Sequence, residues 1–313
     1  MDRGIISLPT RKESLIVIVI SAVFLILTSL FIGLRPEHLF LVGLFFVMFF
    51  INDKSRKLAV GLMPFLIFGI SYDWMRVFPN YTVNVIDIQG LYELEKSFFG
   101  INTDGTILIP CEYFAKYHHK ILDFLSGIFY LGWVPVPVIF GLYLYFTGSR
   151  DIFLRFSMAF LLVNLLGFTI YYIHPAAPPW YVMTYGFEPI FNTPGNMAGL
   201  VRFDELIGFP LFDSIYGRNA NVFAAVPSLH SAYLVVVLYY ALIKKCSIPI
   251  LLIISVFLCG IWFTAVYTAH HYIIDVILGV LCAVAGIMLF EKALMKAGWF
   301  NKFFGSYYNY IKS

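Results

Sequence analysis

Six runs of apolar residues are long enough to cross a lipid bilayer, and they constrain the fold of this chain more than any other feature. They cover residues 15–34, 124–149, 156–173, 222–243, 246–269 and 272–290. A membrane-spanning helix needs about 20 apolar residues, because every backbone N–H and C=O group must be paired within the hydrocarbon. The composition agrees, since 60% of the 313 residues are hydrophobic and only 12% are charged. The chain is therefore predicted to be an integral membrane protein.

Two shorter apolar runs, 39–51 and 58–72, fall below the length of a full span. They come as a pair, so the orientation of everything after them is the same whether both cross the membrane or both re-enter it. The predicted fold class is all-α, a polytopic transmembrane helical bundle of about eight helices, with six as the alternative.

The basic residues are unequally divided between the two sides of this bundle. One side carries 14 of the 21 lysines and arginines. These are Arg3, Arg11, Lys12, Lys54, Arg56, Lys57, Arg150, Arg155, Lys244, Lys245, Lys292, Lys296, Lys302 and Lys312. Because cytoplasmic loops are enriched in Lys and Arg, we expect that side, and both termini, to be cytoplasmic. The long loops 73–121 and 174–224 then face the outer side, periplasmic or lumenal.

Charge and cysteine usage exclude several classes of protein. The formal net charge is +3 and no basic run occurs, so nucleic-acid binding is not predicted. The four cysteines show no paired spacing, so neither a disulfide framework nor a zinc finger is predicted. They are Cys111, Cys246, Cys259 and Cys282.

Ionisable side chains within membrane spans are rare and usually functional. Here His230 lies within the run 222–243, two residues after Ser228, and Asp275 lies near the start of the run 272–290, four residues after the second histidine of the pair His270 and His271. The distribution of basic residues places both segments at the same outer face of the membrane. We therefore expect these side chains to meet.

The spacing selects one histidine of the pair as the partner of Asp275. His271 and Asp275 are four residues apart and share a helix face, whereas His270 and Asp275 are five apart and diverge. A carboxylate bonded to His271 fixes its tautomer and stabilises its cation, which prepares the free nitrogen as a nucleophile. His230 is then the candidate general acid and base.

Three other interpretations of this cluster remain open. A histidine and a carboxylate four residues apart also suit zinc. The same groups could relay protons in a transporter, or they could simply tie helices together through polar contacts.

The outer loop that precedes His230 cannot be a continuous helix, because it is rich in proline, glycine and tryptophan. Loops of this length usually bind or cover something. Arg202 and Arg218 lie within it, and a guanidinium group binds phosphate in a bidentate manner, so both are candidate phosphate ligands.

Six motifs in a fixed order resemble the type 2 phosphatidic acid phosphatase superfamily, and within it the aureobasidin-sensitive inositol phosphorylceramide synthases. The segments that carry this resemblance are 177–181 (APPWY), 185–186 (YG), 194–200 (PGNMAGL), 222–223 (VF), 227–231 (PSLHS) and 270–275 (HHYIID).

The resemblance implies a six-helix catalytic core with an outer active site, and neither a cofactor nor a metal. It implies that His271 attacks the donor phosphorus, that Asp275 orients His271, and that His230 transfers protons. The expected partners are membrane lipids: phosphatidylinositol as donor, a ceramide-like alcohol as acceptor and diacylglycerol as product. The further candidates for binding substrate or phosphate are Arg218, Arg202, His270, Tyr181, Trp180 and Ser228.

One departure from the superfamily pattern favours a transferase over a phosphatase. The lipid phosphatases have a Ser-Arg pair seven and six residues before the nucleophile, where this chain has Thr264 and Ala265. The predicted function is therefore transfer of phosphoinositol to ceramide through a phosphohistidine, with a lipid phosphatase or another lipid phosphotransferase as the alternative. The inositol head group itself follows from the resemblance alone.

Three regions are expected along the chain. Residues 1–120 form N-terminal transmembrane helices and an outer interfacial segment, residues 121–291 form the catalytic membrane core with the outer loop 174–224, and residues 292–313 form a cytoplasmic tail.

Overall fold

The computed structural model describes residues 8–216 and 221–312, most of which are helical. The first eight helices are α1 (Arg11–Phe31), α2 (Pro36–Ile51), α3 (Asp53–Gly61), α4 (Met63–Trp74), α5 (Gln89–Phe99), α6 (Pro110–Lys116), α7 (Lys120–Leu131) and α8 (Pro135–Phe146). A short antiparallel hairpin of β1 (Ile101–Thr103) and β2 (Thr106–Leu108) lies between α5 and α6. Apart from this hairpin and isolated bridges, the described residues contain no strand, and the all-α prediction is confirmed.

The second half of the chain supplies the remaining helices. They are α9 (Arg150–Ile173), α10 (Pro179–Tyr185), α11 (Val201–Ile207), α12 (Leu211–Tyr216), α13 (Leu229–Ile243), α14 (Ile248–Tyr267), α15 (Ile273–Met288) and α16 (Gly298–Lys312). A π-helical turn (Leu289–Ala293) continues α15. The predicted cytoplasmic tail thus contains α16, which packs against α3 and α9.

Four helical stretches of the described chain are long and apolar enough to cross a membrane: α1, α9, α14 and Ile273–Lys296, which begins with α15. The pair α7 and α8 makes a fifth if its two bent halves count as one span, and α2 and α13 are apolar but shorter. Each of the eight predicted runs is helical over most of its length. The prediction of a helical membrane bundle is confirmed.

Two of the predicted spans begin or break at prolines. The run 124–149 bends by 45° between α7 and α8, because Pro135 and Pro137 lack an N–H and clash with the preceding turn. The run 222–243 becomes helical only at Leu229, after Pro227, and Ser228 caps the helix by accepting a hydrogen bond from the Ser231 amide. Both interruptions lie at the end of the bundle that holds the histidines.

Residues 79–119, here called the cap segment, pack onto that same end of the bundle. Within this segment α5 contacts α15, and α6 contacts both α14 and α10. Leu91, Tyr92 and Glu95 share one face of α5 and are buried. The cap segment is therefore a packed layer over the bundle.

A glycine permits the close approach of α15 to the start of α13. A Cβ atom on Gly279 would lie 2.1 Å from the Ser228 carbonyl oxygen, well inside the contact distance of two heavy atoms. The same approach allows the Ser228 amide to donate a hydrogen bond to the Asp275 carbonyl oxygen over 3.0 Å. The beginnings of the helices that carry His230 and Asp275 are thereby held together.

We predict that Gly279→Ala destabilises the protein by about 1–3 kcal/mol, because the new methyl group must push the two backbones apart. Thermal unfolding in detergent measures the loss. Gly69→Ala in α4 is the matched control, since a Cβ atom there meets nothing within 4 Å. Equal unfolding temperatures for the two variants would contradict the close approach described above.

Candidate active site

A cavity of about 180 Å³ lies at the capped end of the bundle and reaches the three histidines of the sequence motifs. Aromatic residues are the largest group in its walls. The aromatic residues that line it are Phe68, Tyr72, Trp133, Phe168, Tyr171, Trp180, Tyr216 and Tyr233. A cavity with such walls is suited to an amphiphile whose polar group meets the histidines.

His230 and His271 face each other across this cavity. The Nδ1 atom of His230 lies 3.1 Å from Nε2 of His271, although 41 residues separate them in the chain. His230 is in the first turn of α13, and His271 lies in the tight turn between α14 and α15. The structure thus brings together the two side chains that the sequence analysis expected to meet.

The other ring nitrogen of His271 lies between two acceptors. Its Nδ1 atom is 3.1 Å from the Ala225 carbonyl oxygen and 3.4 Å from Oδ2 of Asp275. Since both neighbours accept hydrogen bonds, Nδ1 carries the proton and Nε2 presents its lone pair. This tautomer directs Nε2 towards His230.

Burial keeps the ring of His271 neutral. It lowers the pKa of His271 to about 4, and the hydrogen bond to the Ala225 carbonyl opposes that shift only in part. Near neutral pH, Nε2 therefore retains the lone pair that a nucleophile requires.

Asp275 is fully buried at the start of α15. Its Oδ2 atom accepts a hydrogen bond from the Tyr272 amide over 2.9 Å, while Oδ1 has no hydrogen-bond partner among the described residues. The shared face predicted for His271 and Asp275 is observed, although the Ala225 carbonyl provides the shorter contact.

His270 occupies a different part of the same cavity. Its ring lies against those of Tyr130 and Tyr216, and its Nδ1 atom is 2.9 Å from the Thr268 hydroxyl. That hydroxyl donates its proton to the Thr264 carbonyl, so it accepts from Nδ1 of His270. The Nε2 atom is buried and has no partner among the residues described. A neutral His270 therefore offers the cavity an acceptor, and a protonated one offers a donor.

Arg202, one of the two candidate arginines, is paired with an aspartate. Arg202 donates from Nε to Asp123 over 2.6 Å and stacks on the ring of Tyr267. The buried Asp123 carboxylate thus compensates its charge, and Arg202 is not among the residues that line the cavity. Arg218 lies outside the described residues.

Three further predicted residues have distinct positions. Trp180 lines the cavity, and its amide donates to the Ala269 carbonyl over 3.0 Å. The Tyr181 hydroxyl donates to the Glu188 carbonyl and accepts from the Ile190 amide, so it stabilises the loop between α10 and α11. Ser228 caps α13. Neither Tyr181 nor Ser228 is among the residues lining the cavity.

Sequence reasoning missed several residues that contact the histidines. The Tyr130 hydroxyl is 3.2 Å from Nδ1 of His230, and the ring of Trp133 packs edge-on against the same imidazole. These aromatic residues lie beside the break between α7 and α8, where Gly132 and Pro135 were a visible signal. The carbonyl of Ala225 had no sequence signal at all.

The described residues contain no group of three or more His, Cys, Asp or Glu arranged to hold a metal ion. Asp275 approaches Nδ1 of His271, whereas His230 approaches Nε2 of the same ring. The carboxylate and the second imidazole therefore lie on opposite sides of the ring.

Comparison with known proteins establishes the family. The model of the PAP2 superfamily matches residues 101–289, which is more than half of the chain. The chain therefore belongs to the PAP2 superfamily, and its class is that of a membrane-embedded lipid phosphotransferase. No solved structure matches it.

Individual relatives are more specific. The chain is 61% identical to the phosphoinositol dihydroceramide synthase of Bacteroides thetaiotaomicron, over 97% of this chain and 100% of that protein. It is 25% identical to the inositol phosphorylceramide synthase catalytic subunit AUR1 of Saccharomyces cerevisiae, over 74% of this chain and 56% of that protein. It is 27% identical to the inositol phosphorylceramide synthase of Candida albicans, over 66% of this chain and 42% of that protein. The chain thus spans about half the length of these fungal relatives. The predicted resemblance to inositol phosphorylceramide synthases is confirmed.

Proposed function

We propose that this protein transfers phosphoinositol from phosphatidylinositol to a ceramide-like alcohol, through a covalent intermediate on His271. The observation that carries the proposal is the opposed pair of His230 and His271 in an aromatic cavity, with a buried carboxylate behind the nucleophilic ring. The names of the relatives support the choice of head group and acceptor.

In the first half-reaction, Nε2 of His271 attacks the phosphorus of phosphatidylinositol. A P–N bond forms, and the bond from phosphorus to the diacylglycerol oxygen breaks. A protonated His230 gives its proton to that oxygen, so diacylglycerol departs as a neutral alcohol. A bound phosphodiester anion favours the protonated form of nearby imidazoles, so His230 takes up a proton from water as the donor binds.

In the second half-reaction, the hydroxyl of the ceramide-like acceptor attacks the phosphorus of the phosphoinositol-histidine. The P–N bond breaks as the new P–O bond forms, and His230 takes the hydroxyl proton. His271 returns to its neutral state and His230 to its protonated state, so the cycle closes. Asp275 stabilises the positive charge that develops on His271 while its Nε2 is bonded to phosphorus.

His270 is assigned to contact with the substrate. Its buried Nε2 donates to a phosphate oxygen when the ring is protonated, and accepts from a substrate hydroxyl when it is neutral. Arg218 remains the first candidate for a guanidinium contact to the phosphate. Arg202 is better suited to fixing the turn that holds the histidines, because Asp123 already binds it.

Water must be kept from the phosphoinositol-histidine if an alcohol is to accept the group. The aromatic lining of the cavity supports this exclusion. Trp180 is part of this lining, and its amide is hydrogen-bonded to Ala269 in the turn before His270. A hydrolase would share the first half-reaction and differ only in the acceptor.

We predict that purified protein in detergent moves inositol label from phosphatidylinositol to ceramide and releases an equal amount of diacylglycerol. His271→Ala abolishes the transfer, and His230→Ala slows it by about 10²–10⁴-fold, the usual contribution of general acid–base catalysis. Thin-layer chromatography of the labelled lipids measures both. His118→Gln is the matched control, since His118 is half-exposed and a glutamine at this position can still donate a hydrogen bond to Asp123.

Other outcomes of this assay would contradict the proposal. Release of inositol phosphate without transfer would indicate a hydrolase of the donor phosphodiester, and neither product would indicate a lipid phosphotransferase with another donor or acceptor. Transfer is expected to persist in excess chelator, and its loss would favour the zinc interpretation. Appreciable activity in His271→Ala would exclude the covalent step.

We also propose that the cavity opens on the outer side of the membrane, with both termini in the cytoplasm, as the distribution of basic residues indicates. Met183→Cys, on the exposed face of α10, is predicted to react with an impermeant maleimide added to intact cells. Lys302→Cys on α16 is the matched control and is expected to react only after permeabilisation. Labelling of both variants is compared with that of the unsubstituted protein, which has cysteines of its own. The reverse labelling pattern would show that the proposed topology is inverted.

A further inference from the structure

The cap segment places a second buried carboxylate beside the turn that holds His271. Glu95 on α5 is fully buried, and nothing in its sequence context marked it as part of the site. It precedes residues 101–289, the part of the chain that the superfamily model matches. A buried carboxylate is costly unless several donors satisfy it, so its presence calls for a specific role.

Both oxygens of Glu95 are used to hold the start of α15. The Ile273 amide donates to Oε1 over 2.9 Å, and the Ile274 amide donates to Oε2 over 3.2 Å. The first amides of a helix have no partner within the helix and attract negative charge. Glu95 therefore acts as a cap supplied by a distant part of the chain.

Because Glu95 provides this cap, the Asp275 carboxylate is not needed to cap the same amides. Asp275 is the third residue of α15, and its own carboxylate reaches back only to the Tyr272 amide, which precedes the helix. Because Glu95 satisfies the next two amides, Asp275 keeps Oδ1 without a partner and Oδ2 within 3.4 Å of the His271 ring.

A second connection runs from the cap segment to the other neighbour of His271. The Asp87 backbone exchanges hydrogen bonds with Pro175 and Ala177, and Ala176 is bonded in turn to Phe223 and Ala225. The Ala225 carbonyl oxygen is the nearer of the two acceptors of Nδ1 of His271. Both acceptors of the His271 proton are thus tied to the segment that carries Glu95.

We propose that Glu95 is a positioning residue, which fixes the start of α15 so that the Asp275 carboxylate remains available to His271. The proposal rests on the role assigned to His271 in the proposed function. Glu95 itself does not line the cavity and contacts no reacting atom.

Burial and the two amide hydrogen bonds act in opposite directions on the ionisation of Glu95. Burial raises the pKa of Glu95 to about 7, and the two amide hydrogen bonds oppose the rise. Only the ionised carboxylate accepts from both amides without presenting a proton to one of them.

The test compares Glu95→Gln, Glu95→Asp and Glu93→Gln. Gln has the shape of Glu but sets an NH₂ group against one of the α15 amides, so one donor loses its partner. We expect kcat to fall by about 10- to 100-fold with KM for phosphatidylinositol unchanged, because misplacement by about 1 Å costs this much. Glu95→Asp keeps two acceptors and is expected to lose less. Glu93→Gln, exposed on the same helix, is expected to match the wild type.

A rescue variant separates positioning from packing. Ile273→Pro removes one of the two opposing N–H groups at the first position of α15, where proline is well tolerated. In the double variant with Glu95→Gln, the side-chain oxygen of the new glutamine accepts from the Ile274 amide. The NH₂ group of that glutamine then faces the proline, which has no N–H to oppose it. We expect the double variant to recover part of the lost kcat. Loss of packing or of overall stability would not be repaired in this way.

The outcomes are distinct from those that test the proposed function. Unchanged kcat in Glu95→Gln would overturn the positioning role. So would equal losses in the Gln and Asp variants without recovery in the double variant, with thermal unfolding in detergent recorded for each. If the wild type moves no label to ceramide, the proposed function fails, and the variants are compared on whichever lipid phosphotransfer the wild type catalyses.

Discussion

The contact between Asp275 and His271 is the interaction on which the rest of this structure depends. A fully buried carboxylate within a membrane bundle is strongly unfavourable by itself, and breaking a buried pair costs about 3–5 kcal/mol. The fold compensates with the Tyr272 amide, the His271 ring and the positive end of α15. Gly279 then lets α13 approach closely enough for His230 to meet the opposite edge of that ring.

The helical bundle and the cap segment have different roles in this arrangement. In the proposed mechanism, α13, α15 and the turn that precedes α15 supply the reacting groups. The aromatic cavity between the helices then accommodates the phosphate of an amphiphilic donor without a nucleotide-binding loop. The cap segment supplies rigidity, through hydrogen bonds to both sides of the His271 turn. Since phosphoryl transfer depends mainly on positioning and electrostatics, such rigidity bears directly on the rate.

Much of this could be predicted from the sequence, because the strongest signals are local. Apolar runs of bilayer length predicted the helical bundle, and the four-residue spacing selected His271 over His270 as the partner of Asp275. The bend at Pro135 and the late start of α13 at Leu229 also have local causes, although the hydropathy of the runs obscured them.

The contacts that could not be predicted are those made across long separations in the chain. The Ala225 carbonyl, the pairing of Arg202 with Asp123 and the cap by Glu95 depend on how loops pack, and no periodic pattern encodes that. Arg202 illustrates the difference: an arginine in an outer loop suited a phosphate, yet a buried aspartate on α7 holds it.

The covalent step on His271 is the central claim, and trapping the intermediate tests it most directly. Protein incubated with phosphatidylinositol labelled at phosphorus, without acceptor, is quenched in alkali, where phosphohistidine survives, and the label is located by mass spectrometry. The account predicts a phosphoinositol adduct on Nε2 of His271, absent from His271→Ala and discharged when ceramide is added before the quench. Label on another residue, or no label in a preparation that transfers phosphoinositol, would contradict it.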